Sequence, residues 1–234
     1  MLISCADPGP LRDERELIDQ LPLNGARALE LGCGTARQTR LLARSGKFAS
    51  IMALEVDRVQ HALNLKLAEL PSVRFGLGGA EAIPAADASV DAVFLFKSLH
   101  HVPLDLLDQA FAEIRRVLAP GGLVYISEPI FGGEYNEILR LFHDEQRVRE
   151  AAFAATRAAV ESGQFALVSQ TFFLAPVRYR SFAEFEEKVI GVTHTEHQLS
   201  PALQRAVRDK FEAHLGERGA EFAAPFRVDL LQKV

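Results

Sequence analysis

The stretch ALELGCGTARQT, residues 28–39, decides the fold of this 234-residue chain. Its first residues have the composition of a buried strand, and Gly32 and Gly34 then interrupt the run before a helical segment begins. Glycine lets the backbone turn tightly and lets a ligand come close, because a Cβ would clash there. The helix that follows offers free N–H groups and the positive end of its dipole. The stretch therefore predicts a strand–turn–helix corner that binds a ligand.

Strand and helix patterns alternate on both sides of this corner. Strands are predicted at 26–31, 50–56, 73–78, 91–96, 123–128, 165–179 and 225–233. Helices are predicted at 11–21, 36–45, 58–70, 104–118, 134–162, 181–190 and 200–215. Such alternation favours right-handed βαβ units and a parallel sheet.

The amino-acid composition excludes several classes of protein. Hydrophobic residues make up 48% and charged residues 24%, as in folded globular chains. The net charge is -5 and no basic stripe is visible, so a nucleic-acid partner is not expected. The two cysteines, Cys5 and Cys33, form no C-x-x-C pair, which predicts a reducing, cytoplasmic location. Neither a secretory signal nor an apolar run of about 18 residues is visible, so no membrane partner is expected.

Two classes of ligand use a glycine corner of this kind. Dinucleotides favour the pattern G-x-G-x-x-G, but Arg37 stands at the third glycine position here. S-adenosylmethionine (SAM) instead presents a carboxylate and an ammonium. Glu30, just before the turn, would repel a pyrophosphate and could hold an ammonium. Glu55 suits ribose hydroxyls in either class, whereas the competing Asp57 is predicted to N-cap the next helix.

The chain resembles the class I SAM-dependent methyltransferases, especially the small-molecule group that includes the ubiquinone and menaquinone methyltransferases. The resemblance covers about residues 26–130 and follows the family's order in ALELGCGTARQTRLLA, ALEVD, AEAIPAADASVDAVF, SLHHV and IRRVLAPGGLVYISEP. It implies an α/β, Rossmann-like, seven-stranded and mostly parallel sheet with a reversed last strand, flanked by helices. A single domain would have its core at about 22–130 and 222–234, and a helical cap after the fifth strand at about 131–221.

The resemblance also implies SAM as the cofactor and carries over its binding positions. These are Glu30, Gly32, Cys33 and Gly34 at the turn, Glu55 and Val56 after the second strand, Gly79, Ala80 and Glu81 beside the adenine, and Phe96 and Lys97 near the methionine amine. One departure stands out, because the family usually has an adenine-contacting aspartate where this chain has Gly79. A backbone carbonyl or Glu81 could take its place, and Gly79 could also require a positive φ.

Several polar residues lie at predicted strand ends. His100 and His101 follow the fourth strand at the edge where ligands bind, and either could act as a catalytic base. Alternatively, the pair is structural and caps the next helix. Glu128 ends the fifth strand at the same edge and could contact substrate. Asp91 begins the fourth strand at the opposite edge and is predicted to be structural.

The cap is expected to hold the methyl acceptor, because SAM would occupy the core. Its candidate residues are Tyr135, Phe172, Phe173, Arg178, Tyr179, Arg180, His194 and His197. Arg178 and Arg180 share one face of a strand and could bind a carboxylate, or could pair with acids of 184–187. No metal site is predicted from the histidines.

The favoured interpretation is SAM-dependent methyl transfer to a small-molecule acceptor by direct displacement. One alternative is a non-catalytic partner or regulatory protein of the same fold, which Gly79 keeps open. Another is an NAD(P)-dependent oxidoreductase, which Glu30 and Arg37 disfavour. The attacking atom, whether oxygen, nitrogen, sulfur or carbon, stays open, as does the oligomeric state, for which a dimer is one option.

Overall fold

The computed structural model describes residues 1–67, 69–192 and 197–234, and one sheet runs through them. Its strands are β1 (Ala26–Leu31), β2 (Phe48–Glu55), β3 (Val73–Leu77), β4 (Val90–Phe96), β5 (Leu118–Pro129), β6 (Phe165–Tyr179), β7 (Leu215–Gly216) and β8 (Gly219–Lys233). The order is β3-β2-β1-β4-β5-β8-β6, with the short β7 paired to β8. Strands β1 to β5 are parallel, and β8 is antiparallel to both β5 and β6. This confirms the predicted mostly parallel sheet with a reversed last strand.

Helices flank the sheet and extend beyond one end of it. They are α1 (Arg15–Asp19), α2 (Arg37–Arg44), α3 (Arg58–Asn64), α4 (Leu107–Val117), α5 (Gly133–Leu139), α6 (Gln146–Glu161), α7 (Phe182–Phe185) and α8 (Pro201–Glu212). A π-helical turn, Glu186–Ile190, continues α7, and short 3-10 turns cover Leu99–His101 and Leu104–Leu106. None of the described helices has the length and apolar character that crossing a bilayer requires.

The side chains of β4 show how the core is divided between the two faces of the sheet. Val93 and Leu95 join a cluster with residues of α4 and α6. Phe94 and Phe96 point the other way and join a cluster with residues of α1 and α2. Successive side chains of a strand face opposite sides, so a strand covered on both faces must be apolar throughout. The unbroken run of apolar residues in β4 therefore reflects its position in the centre of the sheet.

A third and smaller cluster packs beneath α5, α7 and α8. Phe182, Phe185, Phe211 and Phe222 form its aromatic centre, and the rings of Phe185 and Phe211 lie 5.0 Å apart. We refer to these three helices as the cap. In contrast, α6 and β6, which fall inside the predicted cap segment, belong to the core, because α6 packs with α4 and β6 is an edge strand.

The predicted single helix over 134–162 is divided into α5 and α6. The residues between them turn so that polar side chains face inward. Nε2 of His143 lies 2.8 Å from Oε1 of Glu145, and an oxygen of Glu145 accepts a 2.6 Å hydrogen bond from Arg149. The alanine-rich composition predicted the helical content correctly, but it could not show that this break brings Glu145 to the interior.

The predicted helix over 11–21 is reduced to the five residues of α1. The chain before it runs alongside β6, where Arg12 N donates to Leu174 O at 2.9 Å and Leu174 N donates to Pro10 O at 3.0 Å. A strand edge offers unpaired backbone groups to any extended neighbour. Pairing with that edge therefore replaces the first turns of the expected helix.

The first prediction concerns the cap of α3. An oxygen of the Asp57 carboxylate accepts a hydrogen bond from Val59 N at 2.8 Å, as expected of an N-cap residue. We expect Asp57→Ala to lower the free energy of unfolding by about 1 kcal/mol, measured by denaturant titration. Asp57→Asn keeps a capping oxygen and should remain close to the wild type. An equal decrease in the free energy of unfolding in both variants would contradict the assignment of Asp57 as the N-cap.

Candidate functional site

The glycine turn lies between the end of β1 and the start of α2. Gly32, Gly34 and Ala36 all have left-handed backbone conformations, with φ values of +72°, +50° and +59°. A Cβ on Gly32 would lie 2.7 Å from Cβ of Ser98, whereas the space around Gly34 is open. Ser98 in turn donates from Oγ to Leu31 O at 2.7 Å. The turn therefore packs tightly against the end of β4 and leaves room for a ligand at Gly34.

Glu30 is buried beneath this turn, with 1% of its surface exposed. Its Oε2 has no hydrogen-bond partner among the described residues, and neither has the buried hydroxyl of Thr39. Burial raises the pKa of Glu30 to about 8; the neighbouring Thr39 hydroxyl, which lies close but outside hydrogen-bond geometry, lowers the pKa, and the nearby Glu55 carboxylate raises it further. A buried carboxylate oxygen without a donor is unfavourable. A ligand ammonium would provide both the missing donor and a compensating charge.

Glu55 joins the turn to the end of β2. Its Oε2 accepts from Gly34 N at 2.6 Å, while its Oε1 accepts from Val56 N at 2.9 Å and Asp57 N at 3.0 Å. The next side chain, Val56, is 63% exposed although it is apolar. This pair of side chains suits a nucleoside. The carboxylate can accept hydrogen bonds from the ribose hydroxyls, and the exposed apolar side chain can pack against the flat base.

The Glu81 carboxylate lies against the backbone of Gly79. A Cβ on Gly79 would lie 2.4 Å from both carboxylate oxygens of Glu81. Gly79 is not among the glycines with positive φ, so the suggestion of a required backbone conformation was wrong. Ala80 between them is buried in the core. The Glu81 carboxylate thus occupies the space beside position 79.

This geometry agrees with the comparison to known families. Residues 29–126 match the family described as methyltransferase domain. The likeness to that family concerns this segment. Its boundaries enclose the glycine turn, Glu55, Glu81 and the histidine pair after β4.

Known relatives match this chain over part of their length. An uncharacterized methyltransferase of Mycobacterium bovis is 39% identical over 108 residues, which are 46% of this chain and 42% of the relative. The trans-aconitate 2-methyltransferase of Variovorax paradoxus is 30% identical over 119 residues, 50% of this chain and 44% of the relative. The chain therefore spans less than half the length of these curated relatives.

Solved structures show the fold over nearly the whole chain. The YcgJ protein of Bacillus subtilis superposes with a TM-score of 0.66 at 16% identity, covering 94% of this chain and 97% of the other. At that identity the likeness concerns the fold alone. None of these three proteins is named as a ubiquinone or menaquinone methyltransferase, so the finer resemblance stays a prediction.

His100, which lies in the matched segment, is held between two carboxylates. Its Nδ1 contacts Oε2 of Glu128, and its Nε2 lies 3.4 Å from Oε1 of Glu145. Burial lowers the pKa of His100, but the two carboxylates outweigh it and raise the pKa to about 9. A charged imidazole with both nitrogens engaged cannot accept a proton from a substrate. The geometry gives His100 a structural role instead of the predicted catalytic one.

Glu128 is likewise occupied by protein groups. Besides His100, it accepts a hydrogen bond from Leu99 N at 3.0 Å, and it is 3% exposed. Both oxygens therefore hold the turn after β4, and the predicted contact with substrate is not available to them. His101 differs from its neighbour because its side chain is exposed, with a ring 4.2 Å from that of His100.

The last two predicted cofactor residues end β4. Phe96 is buried and its ring stacks on that of Phe94, so its backbone is the part that faces the site. Lys97 has a left-handed φ of +55°, and its N–H donates to Ser127 O at 2.8 Å. Its side chain is exposed. This conformation turns the chain away from the sheet just beside the glycine turn.

The two cap arginines lie on the outer surface. Arg178 is 66% exposed and pairs with Glu221 at 3.4 Å, and Arg180 is 88% exposed and pairs with Glu184 at 3.2 Å. Arg178 lies near the end of β6 and Arg180 follows the strand, and both side chains meet solvent and acidic neighbours. We therefore do not include Arg178 and Arg180 in the proposed substrate site.

The other cap candidates separate into three groups. The hydroxyls of Tyr135 and Tyr179 are 2.7 Å apart, at the base of the cap. Phe173 is fully buried and packs against Phe226, while Phe172 is partly buried. The ring of His197 packs edge-on against those of Phe142 and His143. His194 lies outside the described residues.

Glu14 was not among the residues predicted from the sequence to lie near the site. Its Oε1 accepts from the Tyr125 hydroxyl at 3.2 Å, and its Oε2 accepts from Gln38 Nε2 at 3.0 Å. Nothing in the local pattern distinguishes Glu14 from its acidic neighbours. The one available signal was Tyr125 in a buried strand, since a buried phenol normally finds a polar partner.

The second prediction concerns Gly79. Gly79→Ala places a Cβ on the Glu81 carboxylate and forces it to move. Because a carboxylate at the end of a flexible side chain moves easily, we expect little change in the free energy of unfolding. Affinity for S-adenosylhomocysteine (SAH) should fall about 2- to 12-fold, the equivalent of a hydrogen bond of about 0.5–1.5 kcal/mol. Titration calorimetry measures this affinity.

Gly132→Ala is the matched control, because Gly132 is extended and has open space around it. In a Glu81→Ala background, Gly79→Ala should have no further effect on SAH affinity. Gly79→Asp should not improve binding either, since it brings a second carboxylate against the first. Tighter SAH binding by Gly79→Asp would contradict the role assigned to Glu81.

Proposed function

We propose that this chain transfers a methyl group from SAM to a small-molecule acceptor. The observation that carries the proposal is the buried Oε2 of Glu30, which lacks a donor directly beneath the glycine turn. SAM brings an ammonium to such a turn, whereas a dinucleotide brings a pyrophosphate. With Glu30 and Glu55 both beside the turn, an added anion would meet the Glu55 carboxylate and would oppose ionisation of Glu30.

The residues around the turn fit the remaining parts of SAM. Glu55 would accept hydrogen bonds from the ribose hydroxyls, since each carboxylate oxygen has more than one acceptor direction. Val56 would lie against the adenine, and the Glu81 carboxylate would accept from its amine. The open space at Gly34 would admit the methionine part. The non-catalytic alternative loses its main support, because Glu81 fills the gap that Gly79 seemed to leave.

When bound, SAM supplies a methyl group on a positively charged sulfur. The protein then has to orient the acceptor in line with the breaking bond and keep it close. The network of Glu128, His100 and Glu145 would fix the turn that carries Lys97 and His101 at this edge. The name of the Variovorax relative, a trans-aconitate methyltransferase, supports a small molecule as the acceptor here.

The third prediction tests this proposal by titration calorimetry. The chain should bind SAH and SAM and should not bind NADH or NADPH. Glu55→Gln should weaken SAH about tenfold or more, because a hydrogen bond to a charged group contributes about 1.5–3 kcal/mol. Asp57→Asn is the control and should keep wild-type affinity. Binding of NADH without binding of either SAM species would refute the proposal.

A further inference from the structure

A cluster of histidine and carboxylate side chains lies where the segment between α5 and α6 meets the turn after β4. His100 and His101 belong to that turn, and Glu145 is the residue just before α6. Each of the three offers a nitrogen or oxygen atom, and these atoms all lie within 4.8 Å of one another. Imidazole nitrogens and carboxylate oxygens are ligands that Zn²⁺ takes in proteins. Two distant segments therefore bring possible metal ligands to one place.

The distance between His100 and Glu145 favours a shared metal ion over a direct hydrogen bond. Nε2 of His100 lies 3.4 Å from Oε1 of Glu145, whereas a hydrogen bond from nitrogen to oxygen usually spans about 2.7–3.2 Å. Two atoms bound to one tetrahedral Zn²⁺ at about 2.0–2.1 Å are about 3.3 Å apart. Two atoms bound at right angles, as in an octahedral Mg²⁺ site, are only about 3.0 Å apart. The observed separation therefore fits tetrahedral Zn²⁺.

The other ring nitrogen of His100 gives a second, independent indication. Its Nδ1 contacts Oε2 of Glu128, and both side chains are buried. A histidine that binds a metal through one nitrogen almost always donates from the other to a carboxylate, a carbonyl or water, which fixes the orientation of the ring. The contact with Glu128 leaves Nε2 as the nitrogen on the side of Glu145, as a metal ligand requires.

The hydrogen bonds of Glu145 leave its Oε1 able to bind a metal. Its Oε2 accepts from Arg149 at 2.6 Å, while Nε2 of His143 lies 2.8 Å from Oε1. A carboxylate oxygen has two lone pairs, so Oε1 can keep His143 and still bind an ion. Arg149 offsets the charge of Glu145, but the Glu128 carboxylate behind His100 adds a second negative charge. Carboxylates that bind metals are commonly hydrogen-bonded in this way.

We propose that His100, His101 and Glu145 bind Zn²⁺, with water in the fourth position. The carboxylates that favour a proton on His100 also favour this cation, which takes the place of the proton on Nε2. The side chain of His101 is exposed, so its ring can turn to complete the site. The ion ties the segment before α6 to the turn after β4 and stabilises the folded chain. The site is independent of the proposed function, because none of the three residues is assigned to SAM.

The fourth prediction uses the full chain after treatment with a chelator, and Co²⁺ as a probe for Zn²⁺. Tetrahedral Co²⁺ absorbs visible light much more strongly than octahedral Co²⁺, so a titration reports both the geometry and the number of sites. We expect one strongly absorbing Co²⁺ per wild-type chain, and one equivalent of Zn²⁺ should displace it. His101→Ala removes an exposed ligand and should weaken Co²⁺ binding at least about tenfold, since even the loss of a residue that only orients a ligand costs about 10- to 100-fold.

His214→Ala is the matched control for this titration. His214 also lies beside a carboxylate, 3.7 Å from Glu134, but it is outside the cluster. This variant should bind Co²⁺ as the wild type does. Zn²⁺ should also raise the unfolding temperature of the wild type and of His214→Ala as its concentration increases, and should have little effect on His101→Ala.

A cysteine at position 101 tests whether this residue itself contacts the metal. A thiolate bound to Co²⁺ adds an intense near-ultraviolet band, which nitrogen and oxygen ligands do not give. We expect this band in His101→Cys and neither in the wild type nor in His214→Cys, although all three contain Cys5 and Cys33. Glu128→Gln keeps the size of the side chain that orients His100 but removes its charge, and should weaken Co²⁺ binding about 10- to 100-fold.

A wild-type chain without the tetrahedral Co²⁺ spectrum would overturn the site, as would equal Co²⁺ binding by the wild type and His101→Ala. Binding by His101→Cys without the near-ultraviolet band would overturn the assignment of residue 101 as a ligand. SAH binding, measured separately by calorimetry, distinguishes this proposal from the proposed function. A chain that binds SAH but not Co²⁺ contradicts only the metal site, and a chain that binds Co²⁺ but not SAH contradicts only the proposed function.

Discussion

The buried carboxylate of Glu30 is the constraint on which the rest of the site depends. It lies at the end of a central strand, where both faces of the sheet are covered, and its Oε2 has no donor among the described residues. Glu55 brings a second carboxylate to the same turn and holds the backbone of Gly34. Two acidic side chains beside a helix N-terminus favour a bound cation. This strand–turn–helix site therefore differs from sites of similar shape that bind phosphate.

The elements of the fold that depend on a local sequence pattern could be predicted. The apolar runs of β1, β2 and β4 follow from burial on both faces, and Ser200 and Pro201 gave the start of α8. The errors arose where distant partners decide the conformation. Leu11 and Arg12 pair with β6 instead of completing a helix, and the break at Glu145 exists because that side chain faces His100.

The parts of the candidate site that lie within one short stretch of sequence could be predicted. The glycine turn, Glu55 and the possibility that Glu81 replaces an acid at position 79 all came from short stretches. The polar cluster around Glu14 could not be found in this way, because it joins residues more than 100 positions apart, as in the bond from Tyr125. Arg178 and Arg180 show the converse, since strand alternation predicted a shared face for them, whereas β6 ends at Tyr179 and both side chains are exposed.

The central claim is that Glu30 receives an ammonium, and proton release on SAH binding tests it most directly. Because the pKa of Glu30 is raised to about 8, its carboxyl is mostly protonated at pH 7 and must ionise to pair with the ammonium. Calorimetry in buffers of different ionisation enthalpy should show release of about one proton per SAH. Glu30→Gln should abolish it. No proton release by the wild type, or the same release by the variant, would contradict the claim.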